Sequence, residues 1–124
     1  MKKFSFGVLF GFAQLILCGP AAAGTADIGP VYIERVTVVA LASGGHQAGN
    51  MELKIQGGFA VPPGVACDGT YITTLKSVDA DQRLFRLASV AQVVKQPVYL
   101  RITDDPAYTA FGGRCGLVWL SMAQ

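Results

Sequence analysis

The first 23 residues decide how much of this 124-residue chain has to fold. Lys2 and Lys3 open it with positive charge, and Phe4 to Leu17 follow as an apolar stretch interrupted only by small residues and Gln14. Gly19-Pro20 ends any helix there, and Ala21-Ala22-Ala23 supplies the small residues that a signal peptidase requires. Residues 1–23 therefore read as a cleaved secretory signal peptide, with the cut before Gly24 and a cut after Ala26 as the alternative. The apolar stretch is too short for a membrane span. A lipidated cysteine at Cys18 is disfavoured, because Leu17 stands where such sites want Gly, Ala or Ser.

What remains is residues 24–124, which is 124 less 23, or 101 residues: one small domain. The leader holds two of the ten basic residues and none of the eight acidic ones, so the formal net charge falls from +2 to 0. A charged fraction of 15% already excludes a disordered tail or a basic nucleic-acid arm. Neutrality of the mature domain further removes the positive groove that nucleic acid would want. Two cysteines remain, Cys67 and Cys115, and in an exported protein they have only one pairing. That bond closes a loop of 48 residues, worth about 4 kcal/mol in the chain-entropy account. There is no Cys-x-x-Cys and only one histidine, so a metal or redox reading of the pair is poor, and no metal or cofactor is expected.

No repeat, low-complexity tract or linker divides residues 24–124. Pro30 opens a Val-, Ile- and Thr-rich run, Val31 to Ala42, that predicts a long first strand with a bulge near Glu34-Arg35. A Gly-rich turn, Ser43 to Asn50, leads to Met51-Glu52-Leu53-Lys54-Ile55-Gln56, whose strict alternation predicts one buried and one wet face. Gly69 to Ser77 makes a third strand. Asp79 fits a helix N-cap with Gln82 in the capping-box position. Leu84, Leu87, Ala88, Ala91 and Val94 then form one stripe at helical spacing. Val90 and Val93 lie on the far side beside Arg86, where either a covering loop or a contact with another subunit accounts for them. Val98 to Ile102 alternates as a fourth strand, and Cys115 to Met122, apolar on both faces, is a central fifth. The order β-β-β-α-β-β is that of the OB-fold, so the expectation is a mainly β domain: a five-stranded Greek-key barrel with one helix and one disulfide.

Enzymatic readings find little chemistry. His46 sits in the Gly-rich turn and as a general base would need a nucleophile and an orienting carboxylate brought in from elsewhere, so no catalytic residue is assigned and the protein is read as a non-enzyme. Asp79 and Asp81 flank the helix start, where capping is sufficient explanation for Asp79. The glycine pairs lack the Lys-Ser/Thr of a phosphate loop. Binding is better supplied. In an OB-fold the ligand lies across the second and third strands, between the loops that join strands one and two and strands four and five. Those loops hold His46 and Asn50 on one side and Asp104, Asp105, Tyr108, Phe111 and Arg114 on the other. Aromatic faces beside carboxylates and an Arg suit a sugar, whereas Tyr108 and Phe111 folded back onto the barrel would instead be a cap.

From Ala66-Cys67 to Ser121 the order of features resembles the B subunits of subtilase-cytotoxin and typhoid-toxin type. The similar pieces are Ala66-Cys67 before a strand, an Ala-containing helix, Gln96-Pro97-Val98 entering a strand, and the closing Gly116-Leu117-Val118-Trp119-Leu120-Ser121. An aromatic-rich helix and a Trp-Thr-Tyr-Pro stretch of that family are missing, and Cys115 precedes the last strand rather than ending it. No sugar-contacting position carries over. The resemblance implies an OB-fold that assembles into oligomers and binds cell-surface glycans, in keeping with Arg86, Val90 and Val93 as subunit contacts. The expected protein is thus an exported binding module, periplasmic or secreted, with a glycan or receptor as ligand. The alternative is a periplasmic protein that inhibits or assists a partner protein.

Overall fold

The computed structural model describes residues 22–124, so the expected signal peptide lies outside the described residues apart from Ala22 and Ala23. Six strands and one helix follow in order: β1 Thr25–Val31, β2 Ile33–Val38, β3 Met51–Ile55, β4 Tyr71–Thr74, α1 Arg83–Val94, β5 Val98–Thr103 and β6 Cys115–Met122. The domain is mainly β, and its strands form one mixed sheet in the order β1-β5-β6-β4-β3-β2. Neighbours are antiparallel except β4 and β6, which run parallel through two pairs, Ile72 with Cys115 and Thr73 with Gly116. The Cys67–Cys115 disulfide, with Cα atoms 5.3 Å apart, crosses this junction. The covalent bond therefore sits at the shortest ladder in the sheet.

The expected closed barrel is corrected by this topology. The sheet edges are β1 and β2, consecutive in the chain, and no ladder joins them. The long strand expected from Val31 to Ala42 is instead a segment that starts earlier and turns at Tyr32. Its first half pairs with β5 and its second half with β3. With the two halves of the segment engaged by different neighbours and no ladder between them, the sheet has no hydrogen-bonded closure. Pro30 does not stop β1, because an edge strand can spare one N–H; the ladder is irregular between Ile28 and Val31. The bulge lies between Ile33 and Arg35, where the change of hydrophobic phase predicts it. With β1 and β2 counted as one, the helix does fall between the third and fourth strands.

Inward positions of every strand build one core. Leu53, Ile55, Ile72, Val98, Leu100, Ile102, Cys115 and Leu117 are fully buried. Helix α1 packs across β2 and β6, burying Ala88 and Ala91, with Leu84, Phe85 and Leu87 against the same cluster. Val94 departs from the expected stripe and stays exposed, since Lys95 in the left-handed region ends the helix there. Asp79 does cap α1, but from farther back than a capping box. Its two carboxylate oxygens accept the N–H groups of Leu84 and Phe85, both at 2.9 Å, while Gln82 adopts φ 57° and makes no side-chain cap. The third strand is shorter than expected because Asp68 Oδ1 accepts from Thr70 N and Tyr71 N at 2.7 and 3.1 Å, holding residues 68–70 in a turn. Among the described residues no helix is long and apolar enough to cross a membrane.

Candidate functional site

The loop of residues 104–114 lies over the outer face of β3, β4 and β6, and everything in the candidate site follows from that placement. Thr73 Oγ1 donates to Cys115 O at 3.3 Å and accepts from Ala110 N at 3.1 Å, tying the loop to the sheet. Gly116 lets the loop approach: a Cβ there would stand 2.3 Å from Tyr108 O. The covering loop also corrects the expectation of a wet outer face on β3. Glu52 points outward by strand alternation yet is buried, because Arg114 closes over it.

Arg114 is the hub of this face. Its guanidinium pairs with Glu52 through Nη1 and Oε2 and stands 4.4 Å from the Tyr71 ring and 4.6 Å from the Phe111 ring. His46 Nε2 lies 3.4 Å from the same Glu52 oxygen, and its ring meets Phe111 at 4.8 Å between centroids. Arg114 has five N–H donors, and among the described residues its hydrogen bonds run through Nη1 alone. Nε and Nη2 are left for solvent or a ligand. Of the six expected site residues, the fold brings His46, Phe111 and Arg114 together here. It adds Glu52 and Tyr71, which the sequence reading missed. The signal for them was available: both sit on the polar face of the two strands that an OB-fold uses for ligands.

Asp105 and Tyr108 go elsewhere. They line a cavity of about 370 Å³ with Thr25, Val78, Thr103 and Val118. Tyr108 is 49% exposed, so its ring is open to a partner rather than folded into the core. Asp105 Oδ1 accepts Ala107 N at 2.9 Å, and its main-chain carbonyl accepts Tyr108 N at 2.9 Å, so the turn at Pro106 is locally fixed. Asp104 joins neither group. Its oxygens accept Gly24 N at 2.7 Å and Ala66 N at 2.9 Å. Those N–H groups, Ala66 first, hold its carboxyl below the ordinary value. It is an anchor for the loop.

A third cluster was not expected at all. On the outer face of β1, β5 and β6, Asp27, Arg101 and Trp119 stand in one register row. Arg101 donates from Nε and Nη2 to the two Asp27 oxygens at 2.6 and 2.8 Å and lies 5.3 Å from the Trp119 ring. The hydrogen bond from Arg101 lowers the Asp27 pKa and raises that of Arg101. Cross-strand pairing explains the row. The expected subunit-contact residues Arg86, Val90 and Val93 are all on the open side of α1, Val93 at 74% exposure. With Ser89 and Val94 the two valines line a shallow apolar depression. No family model, characterised protein or solved structure matches this chain.

Proposed function

We propose that this chain is an exported, non-enzymatic binding module whose ligand surface is the 104–114 loop, and that its ligand is a glycan. The observation that carries the reading is Tyr108. A half-exposed ring stands on the wall of a cavity that Asp105 also lines. An open aromatic face stacks on the C–H surface of a sugar, and a carboxylate accepts from its hydroxyls. The loop is also held before binding, at Asp104, at Ala110 and at Arg114. Pre-ordering reduces the entropy lost when a ligand docks. Against catalysis stands the company His46 keeps: its ring nitrogen faces Glu52 and Arg114, which are already paired to each other. The resemblance to toxin B subunits adds support from the second half of the chain. The test is a glycan array probed with the exported protein. Hits that vanish in Tyr108→Ala with an unchanged melting temperature are expected; an empty array with an intact fold overturns the glycan reading.

A second reading rests on the exposed valines of α1. Val90, Val93 and Val94 are each about half exposed or more, and such a patch suits a protein surface. Under this reading the chain meets another subunit or inhibits or assists a partner protein. Sedimentation of the exported protein tests the first case: a strict monomer counts against self-association, and an oligomer broken by Val93→Asp supports it.

A further inference from the structure

We infer that processing between Ala23 and Gly24 creates a binding group: the new α-ammonium of Gly24 is captured by the Asp104 carboxylate. The inference rests on the reading of residues 1–23 as a cleaved leader, and it goes further by fixing the cut and giving the new terminus a role. Gly24 N lies 2.7 Å from Asp104 Oδ1. The carbonyl of Gly24 accepts Thr103 Oγ1 at 2.9 Å and Asp104 N at 3.2 Å. Residue 24 is thus bonded on both sides, whereas Ala22 and Ala23 before it are exposed.

The two cleavage positions that the sequence allows differ sharply in the fold. A cut after Ala26 would fall inside β1 and remove Thr25 and Ala26 from their pairs with Thr103 and Ile102. A cut after Ala23 leaves β1 whole. Position 24 is also built for glycine, since a Cβ there would meet Gly64 O at 1.9 Å. The chain therefore passes through a narrow site at the point where the amine would be released. Hydrolysis of the Ala23–Gly24 amide takes up one water. The carboxyl half leaves with the leader, and the amine of Gly24 takes a proton at neutral pH.

Before the cut, Asp104 accepts a neutral amide N–H. After it, the same oxygen faces an ammonium with three donors, and a charge-assisted bond is shorter and about twice as strong as a neutral one. Asp104 also holds Ala66 N, next to Cys67 of the disulfide. One carboxylate thereby joins the new terminus, the disulfide region and the ligand loop. Ala23 lines the cavity beside Tyr108, so its removal also opens that wall.

The experiment expresses the full chain in an exporting host, reads the N-terminus by intact mass and terminal sequencing, and then acetylates the α-amine selectively near neutral pH. A product starting at Gly24 is expected, with a melting temperature that drops by several degrees on acetylation. In Asp104→Asn acetylation should change nothing. A product that retains Met1 defeats the leader reading itself. A product starting at Asp27, or at another residue after the apolar stretch, leaves export standing and overturns this inference. So does a Gly24 terminus whose acetylation leaves the melting temperature unchanged. Acetylation of the unsubstituted protein is decisive even if Asp104→Asn does not fold.

Discussion

Arg114 and Glu52 face each other across 62 residues of sequence, one at the end of the 104–114 loop and the other on the outward face of a strand. Glu52 is buried where Arg114 pairs with it, and the Arg114 guanidinium stands 4.4 Å from the Tyr71 ring and 4.6 Å from the Phe111 ring. Removing one member of a buried pair leaves the other charged and uncompensated.

Arg114→Met should therefore destabilise the domain by about 3 kcal/mol, the lower end for a broken buried pair. Glu52→Gln in the same chain should recover much of that loss. Urea unfolding of the two single variants and the double variant measures the coupling; additive effects would show that the two residues act independently.

Tyr108 and Phe111, equivalent in sequence as two loop aromatics, should separate on substitution. Tyr108→Ala is expected to leave the urea midpoint unchanged and to lose the ligand. Phe111→Ala should cost about 1 kcal/mol, the scale of one aromatic contact, because the ring meets both His46 and Arg114.

Replacing both Cys67 and Cys115 by Ser should lower stability by about 4 kcal/mol in the chain-entropy account, which for a domain of this size is a large share of the whole. The loss should appear first at the junction of β4 and β6, where only two pairs hold the strands. Hydrogen exchange at Ile72 and Gly116 reports it. Thiol labelling of the unsubstituted exported protein should find no free cysteine.

Acid should weaken the fold through Asp104 and Asp27, whose pKa values are lowered by N–H donors from Ala66 and Gly24 and from Arg101 respectively. A carboxylate with a depressed folded pKa stabilises above its unfolded value, about 3.9 for Asp, and that contribution disappears as pH falls through the folded value. Asp104→Asn should therefore have a lower urea midpoint than the parent at about pH 5, and the two should converge toward about pH 2. A gap that persists unchanged at low pH would assign the effect to lost hydrogen bonds rather than to charge.

Local signals in the chain were strong where one residue type has one physical use. The period-2 runs at Met51–Ile55 and Val98–Ile102 located two strands because alternation has no other common reading. Asp79 announced the helix, although its oxygens bond the N–H groups of residues 84 and 85 instead of closing a capping box. The bulge at Glu34 was legible from a change of phase. Pro30 misled, because a proline marks a strand boundary only when its N–H would have been needed, and on the edge strand β1 it was not.

Sequence by itself determined the mainly β character, the place of the helix and the partnership of Cys67 with Cys115. Each of these follows from composition, period or arithmetic along the chain. Only the tertiary structure decided that the sheet stays open at Tyr32, that Glu52 is buried on a strand face that reads as wet, and that six candidate residues divide into an Arg114 cluster, a Tyr108 cavity and an Asp104 anchor. The reason is physical: these outcomes depend on what a loop covers after the chain has folded back on itself, and alternation along a strand cannot report which face another segment will come to shield.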